Sequence, residues 1–164
     1  MFAVRQLNSR NPGNGGRAVR VTALLLADHA SIREGLLHVL GAGITRIARD
    51  PLPARLDVAL ALMLQAADEA DFMANHTLEV TISESSPASA GEQVAKVLAE
   101  LGPPPGAAPL GPNLQIPIVV PIQPVPVPRT GSYVIAISLD DEPAGSYEFE
   151  VTKGSDLRPA PPGA

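Results

Sequence analysis

The sequence contains no cysteine and no tryptophan, and aromatic residues fill only 3% of its 164 positions. Without cysteine, the chain can hold neither a disulfide framework nor a zinc site built on thiolates. No apolar run approaches the roughly 18 residues that a membrane-spanning helix needs. The sequence also lacks the charged segment followed by an apolar segment that marks a secretion signal. We therefore expect a cytoplasmic protein with an aliphatic core, and the length favours a single domain.

Basic residues are scarce beyond the beginning of the chain. The first 20 residues hold four arginines and no acid, whereas the rest carries 8 basic and 17 acidic side chains. An acidic body is a poor ligand for nucleic acid, because neutralising phosphates requires clustered lysine and arginine. Residues 1–17 show no apolar periodicity, and we expect them to form a disordered extension. We further predict one β-sandwich domain over residues 18–153 and a disordered, proline-rich tail over residues 154–164.

Period-two alternation of apolar residues is the clearest signal in the body of the chain. It occurs in five segments and is typical of strands that bury one face. The segments are residues 19–27, 56–64, 78–82, 133–139 and 147–151. In the first segment the odd-numbered residues are expected to face the core. The connection at residues 140–145 is acidic and contains proline and glycine, which predicts that the last two strands form a hairpin.

Many of the 18 prolines fall in a segment that still alternates like a strand. From Leu114 to Ile122 every even position is apolar, and Pro117 and Pro121 both occupy odd positions. The two missing N–H donors therefore lie on the same side of the strand, which an edge strand tolerates. The alternative interpretation is a ligand for SH3-like domains, because Pro121 and Pro124 have PxxP spacing. The alternating isoleucines favour the edge strand.

Two segments fit either a helix or a strand, and they decide little about the fold class. Residues 36–40 follow a capping-box pattern at Ser31–Glu34 but are interrupted by glycine, and residues 92–101 match both periods. Short strands with frequent turn signals predict an all-β fold. We expect an antiparallel, Ig-like β-sandwich of about seven to nine strands, with at most one or two short helical turns. A closed barrel is the alternative.

Several motifs resemble a known family. They are VTALLLADHA at residues 21–30, EGLLHVLG at residues 34–41, GITRI at residues 43–47, and the closing pair of segments at residues 131–133 and 149–151. The family is an uncharacterised group of small bacterial domains of unknown function, found mainly in actinobacteria. The resemblance implies an Ig-like β-sandwich and favours strands over helices at residues 36–40 and 92–101. It implies no activity.

Asp28, His29 and His38 are the only residues whose types and proximity in sequence could indicate a metal or small-molecule site. If residues 19–29 and 36–40 are antiparallel neighbours, His29 comes near His38, and two imidazoles with a carboxylate can bind zinc. The simpler interpretation is that Asp28 caps a turn and both histidines are half-exposed. We find no pattern of nucleophile and base, and no phosphate-binding loop. We therefore predict no catalytic residues, no cofactor and no enzymatic activity.

A face of the predicted sheet that does not point to the core is also apolar. It comprises Ala59, Ala61 and Met63, together with Leu24 and Leu26 on the reverse of the first strand. An apolar outer face requires a cover, either from the segment at residues 92–101 or from the partner in a dimer. The sequence does not specify a function, and the leading hypothesis is a non-enzymatic module that binds another protein or itself as a homodimer. We expect neither nucleic acid nor membrane as a partner. The alternative is a small-molecule or metal-binding sandwich at Asp28, His29 and His38.

Overall fold

Two β-sheets packed face to face form the body of the protein in a computed structural model, which describes residues 19–85, 91–103, 115–122 and 125–154. The elements are β1 (Val19–Arg33), β2 (Leu36–Ala42), β3 (Arg46–Ala48), β4 (Ala54–Arg55), β5 (Ala59–Ala66), α1 (Glu69–Met73), β6 (His76–Glu84), β7 (Gln93–Leu101), β8 (Gln115–Pro121), β9 (Pro126–Val127), β10 (Gly131–Leu139) and β11 (Glu142–Thr152). The predicted extension at residues 1–17, residues 155–164 of the predicted tail and residues 123–124 of the PxxP segment lie outside the described residues.

The order of the strands is that of an immunoglobulin-like sandwich. One sheet has the order β2-β1-β5-β8, and the other has the order β3-β11-β10-β6-β7. Strands β1, β5 and β8 correspond to A, B and E, while β11, β10, β6 and β7 correspond to G, F, C and C′. Apart from β3, which runs parallel to β11, neighbouring strands are antiparallel. The predicted all-β, Ig-like sandwich is confirmed.

The main core lies between the two sheets and is built mostly from aliphatic side chains. Strand β5 contributes Leu60, Leu62 and Leu64, each at most 1% exposed, as its alternation predicts. The rings of Tyr133 and Phe149 stack in the same core, with their centroids 5.6 Å apart. Burying a large aliphatic side chain contributes about 1.5–3 kcal/mol. The shortage of aromatic residues is therefore met by many leucine, isoleucine and valine side chains.

Strand β1 does not keep the single alternation that its sequence predicts. Its register against β5 shifts between Val21 and Ala23, which is a β-bulge. A bulge inserts one residue and thereby exchanges the two faces of the strand beyond it. Leu24 and Leu26 consequently lie in the main core. Their predicted place on the outer face, and with it their role in an interaction surface, is wrong.

The proline-bearing strand β8 lies at the edge of its sheet, next to β5. Pro117 is opposite Met63, and Pro121 is opposite Ala59. Since β8 pairs with no second strand in the described part of the chain, the missing N–H groups leave no ladder bond unmade. The predicted edge strand is confirmed over the residues that the structure describes.

Both ambiguous segments form strands, β2 and β7, and the one helix described is the five-residue α1. Asp68 caps that helix, because its Oδ1 accepts a hydrogen bond of 2.9 Å from the backbone N–H of Asp71. The predicted hairpin between β10 and β11 is present, but its turn is only Asp140 and Asp141, with φ of 53° and 64°. Positive φ at both central positions is typical of the tight type I′ turn.

Candidate interaction surface

A β-hairpin extends from the four-stranded sheet, and we term its residues 28–42 the arm. Strand β1 is long enough to pair twice: Val19–Ala27 pairs with β5, and the remainder pairs with β2. A two-residue turn closes the arm, with φ of 53° at Glu34 and 75° at Gly35. Strand β2 has no counterpart among the A, B and E strands of the sandwich. The arm is therefore an addition to the Ig-like body.

The arm covers the outer face of the sheet from which it extends. Ala59 and Ala61 form a second, smaller buried cluster with Ala30, and Leu37 and Val39 of β2 pack against it. Ala61 is only 1% exposed and Ala59 only 8%. The prediction that these two alanines form an interaction surface is wrong, because the arm covers them. The cover is also not the segment at residues 92–101, since β7 lies at the edge of the other sheet. Met63, the remaining residue of that set, is partly exposed.

The opposite side of the arm faces solvent and carries two large apolar side chains. Leu36 is 63% exposed and Leu40 is 70% exposed. His38 lies between them on the same face, since alternate residues of a strand point the same way. Across the hairpin, His29 is opposite Leu40 and Ser31 is opposite His38. This outward face combines an exposed apolar stripe with two exposed imidazoles.

The three candidate ligands of the metal-binding alternative, Asp28, His29 and His38, do not form a metal site. The pairing of β1 with β2 is antiparallel, as predicted, and it places His29 and His38 in adjacent rows of one face. Asp28, however, lies opposite Gly41, where its side chain covers the glycine, and strand alternation turns it away from His29. Within the described ranges, no group of three or more His, Asp or Glu residues could hold a metal ion. Nothing in the geometry favours the metal-binding alternative.

A histidine outside the predicted site, His76, joins the start of β6 to the turn between β10 and β11 and to α1. His76 Nδ1 lies 2.7 Å from Asp140 Oδ2, and its Nε2–H donates a hydrogen bond of 2.8 Å to the carbonyl oxygen of Asp71. Burial lowers the pKa of His76, but its bonds to Asp71 and Asp140 outweigh this, so that the pKa is raised. With both nitrogens engaged, His76 serves the fold.

A tyrosine corner accounts for the most perturbed ionisable group. The hydroxyl of Tyr133 donates to the carbonyl oxygen of Arg129 at 2.8 Å and lies 3.2 Å from Glu84 Oε1. Burial, with the Glu84 carboxylate beside it, raises the pKa of Tyr133 to about 12. A tyrosine near the start of strand F that bonds to the backbone four residues upstream is a hallmark of Ig-like sandwiches. This network is structural.

Two small cavities of about 190 Å³ each lie between described residues. One lies where the edges β7 and β8 meet and is mainly apolar, with Phe72, Leu101 and Ile118 in its wall. The other contains Thr45, Ser85 and Glu148. The described linings do not pair a hydroxyl nucleophile with a histidine, which is the arrangement that serine-type catalysis requires. The absence of enzymatic activity stays a prediction.

The exposed leucines of the arm are the feature that sequence reasoning missed. Residues 36–40 alternate in a way that places Leu36, His38 and Leu40 on one face and Leu37 and Val39 on the other. Both faces are apolar, and sequence alone does not show which one the chain covers.

None of the described helices is long and apolar enough to cross a membrane.

Comparison with known proteins identifies a family and a general likeness of fold. A model of a family of unknown function matches residues 22–152. A search of curated proteins finds no match. Among solved structures, an alkylpurine DNA glycosylase of Pseudomonas fluorescens bound to DNA is similar at 16% identity and TM-score 0.47, covering 83% of this chain and 31% of that one. An immunoglobulin-like protein of Pseudomonas aeruginosa is similar at 15% identity and TM-score 0.38, covering 85% of this chain and all of that one.

A β-glucosidase of Listeria innocua in complex with glucose is similar at 9% identity and TM-score 0.44, and the match covers 81% of this chain. The chain thus spans 31% of the glycosylase and 15% of the glucosidase.

Proposed function

Since the chain belongs to DUF6941, a family of unknown function, we propose a role from its own geometry: a non-enzymatic module of the bacterial cytoplasm that binds protein through the outward face of its arm. One observation carries this proposal. Leu36 and Leu40 are 63% and 70% exposed on one face of an ordered hairpin whose strand β2 carries no charged residue, whereas the similarly exposed Leu98 of β7 lies between Lys96 and Glu100. Exposed apolar patches on ordered elements mark protein interaction sites.

The arm is held in place independently of any partner, which suits a binding surface. Leu37 and Val39 pack on Ala59 and Ala61, and the tight turn at Glu34 and Gly35 fixes the register of the two strands. The outward leucines contribute nothing to this packing. An interface that is preformed loses less conformational entropy when it binds.

The chemistry of the outward face favours protein over nucleic acid or membrane. Strand β2 has the sequence LLHVLGA and carries no Lys, Arg, Asp or Glu. Phosphate groups require clustered positive charge, and the one arginine of the arm, Arg33, stands beside Glu34. Apolar side chains between neutral polar ones are typical of the centre of a protein interface.

Site-specific photocrosslinking in the host cell tests the proposal. A photoreactive amino acid replaces Leu40 in one variant and Leu98 in a matched control, because Leu98 is 62% exposed on strand β7. We expect protein adducts at position 40 and few at position 98. Equal labelling at both positions, or no adduct at position 40, would refute a binding role for the arm.

A further inference from the structure

The free edge of β2 is the only described sheet edge that lacks protection against pairing. Edge strands are usually protected by proline, by charged side chains or by being short. Strand β8 has Pro117 and Pro121, β7 has Lys96 and Glu100, and β3 spans only three residues. Strand β2 is seven residues long and has none of these features. In the described ranges, no strand pairs with its free edge.

The turn of the arm determines which backbone groups face that edge. In a hairpin closed by a two-residue turn, the residues flanking the turn form a hydrogen-bonded pair, here Arg33 and Leu36. Hydrogen-bonded and non-hydrogen-bonded pairs then alternate along the ladder. Leu37 and Val39 therefore direct their N–H and C=O groups away from β1. These are two successive sites for a new antiparallel ladder.

We propose that β2 pairs with β2 of a second copy of this chain, antiparallel across a two-fold axis near Val39. The pairing would join the two four-stranded sheets into one continuous sheet across both copies. This inference rests on the proposed function and specifies its partner. Closed two-fold symmetry is the commonest form of self-association, and an antiparallel strand pair satisfies it automatically.

Charge is the reason for choosing a second copy as the partner. The whole chain has a formal net charge of −5, so two copies repel each other at most orientations. Strand β2 contains no Lys, Arg, Asp or Glu, and two such strands meet without like-charged side chains of these types opposite each other. With the axis at Val39, His38 of one copy lies beside Leu40 of the other. Each exposed leucine is then covered by a neighbouring side chain.

The arrangement of the outward face fits the same pairing. His29 is opposite Leu40 within each arm, and Ser31 is opposite His38. Across the axis, one row of the joined sheet reads His29, Leu40, then His38 and Ser31 of the second copy. No carboxylate or guanidinium group lies in that row. The row is self-complementary, because the two-fold axis places the His29–Leu40 pair of each copy beside the Ser31–His38 pair of the other.

Introduced cysteines test the pairing, since the natural chain has none that could interfere. The variants are His38→Cys, Leu40→Cys and, as a control on β7, Leu98→Cys. Side chains directly opposite in a non-hydrogen-bonded pair are close enough for a disulfide. With the axis at Val39, a mixture of the first two variants should form a mixed disulfide dimer under mild oxidation. An axis shifted by one residue would instead give homodimers of one of the two variants.

The control should give no comparable disulfide dimer, and the mass in solution should be twice 17.0 kDa for the wild type. Leu40→Lys places like charges at the axis and should weaken the dimer at least tenfold, whereas Leu98→Lys should not. A monomer at all concentrations, with no disulfide at positions 38 and 40, would overturn the pairing. Photocrosslinks from position 40 to a different protein would then leave the proposed function standing without self-association.

Discussion

Leu40 lies directly opposite His29 in the hairpin of β1 and β2, and both side chains are exposed on the outward face of the arm. On the other face of the hairpin, Leu37 and Val39 pack against Ala59 and Ala61, while Ile32 is 45% exposed. The described residues supply no such cover for Leu36 and Leu40 on the outward face. That asymmetry is the basis of the interaction module proposed above.

Replacing both exposed leucines should separate binding from stability. In the double variant Leu36→Thr/Leu40→Thr, threonine keeps a high strand propensity while the apolar stripe is lost. We expect the free energy of unfolding to change by less than about 0.5 kcal/mol, because both side chains are exposed. Self-association should weaken at least tenfold in sedimentation velocity. Leu98→Thr is the control, and equal weakening in that variant would argue against the arm.

Filling the space beneath the arm should detach it. Ala61 is 1% exposed beneath the arm and lies between Leu25 and Val119 in the register of the sheet. Ala61→Leu should destabilise the fold by about 1–3 kcal/mol, since an overpacked site forces its neighbours to move. Hydrogen exchange should increase mainly in β2. The control is Met63→Leu at a partly exposed position, and unchanged exchange in β2 would show that the arm does not depend on this contact.

The pair His76 and Asp140 should make stability depend on pH. The pKa of His76 is raised, so its contribution is complete below its unfolded value of 6.5 and is lost as the pH rises through the folded pKa. Burial raises the pKa of Asp140, but hydrogen bonds from His76 and Thr77 leave it lowered, so that contribution is lost as the pH falls through the folded pKa. The pair therefore stabilises the fold most at a pH between the titration of Asp140 and that of His76, near pH 5.

Asp140→Asn removes the charge while keeping a residue that tolerates the positive φ of 53°. We expect a loss of about 1 kcal/mol near pH 5 and a smaller loss at pH 8, measured by urea unfolding. The half-exposed carboxylate keeps the effect modest. A loss that is the same at both pH values would show that the pair is not coupled to folding.

Tyr133→Phe should test the tyrosine corner. The variant keeps the ring stacked on Phe149 but leaves the carbonyl of Arg129 without its donor. A loss of about 1–2 kcal/mol is expected from one buried hydrogen bond. Because the pKa of Tyr133 is raised to about 12, the phenolate absorbance of the native protein should develop at a higher pH than that of free tyrosine. Tyr147→Phe serves as the matched variant, since Tyr147 also bonds to a backbone carbonyl, that of Ile44.

The strands that were predictable are those in which one face carries clearly larger apolar side chains than the other, so that only one face can be the buried one. In β5 the leucines at even positions are large and the alanines at odd positions are small, so the buried face is clear from the pattern. In β1 the run Leu24, Leu25, Leu26 is apolar on both faces. A one-residue bulge then decides which side enters the core, and the sequence does not mark its position.

The interaction surface was harder to predict, because both β5 and the arm have apolar faces and the sequence does not show which of these faces pack together. The sequence shows that residues of β5 and of the arm both have unpaired apolar faces. It does not show that the arm folds onto Ala59 and Ala61, which depends on the three-dimensional path of the chain. Because the arm covers Ala59 and Ala61, the large exposed apolar side chains at this place are Leu36 and Leu40. The proposed interaction surface therefore lies on the arm and not on β5.

Photocrosslinking at position 40, with position 98 as the control, is the most direct test of the central claim that the arm is a binding surface. The account predicts protein adducts at position 40, including a band at twice the mass of the 17.0 kDa chain, and few at position 98. Equal labelling at the two positions, or no adduct at position 40, would contradict it.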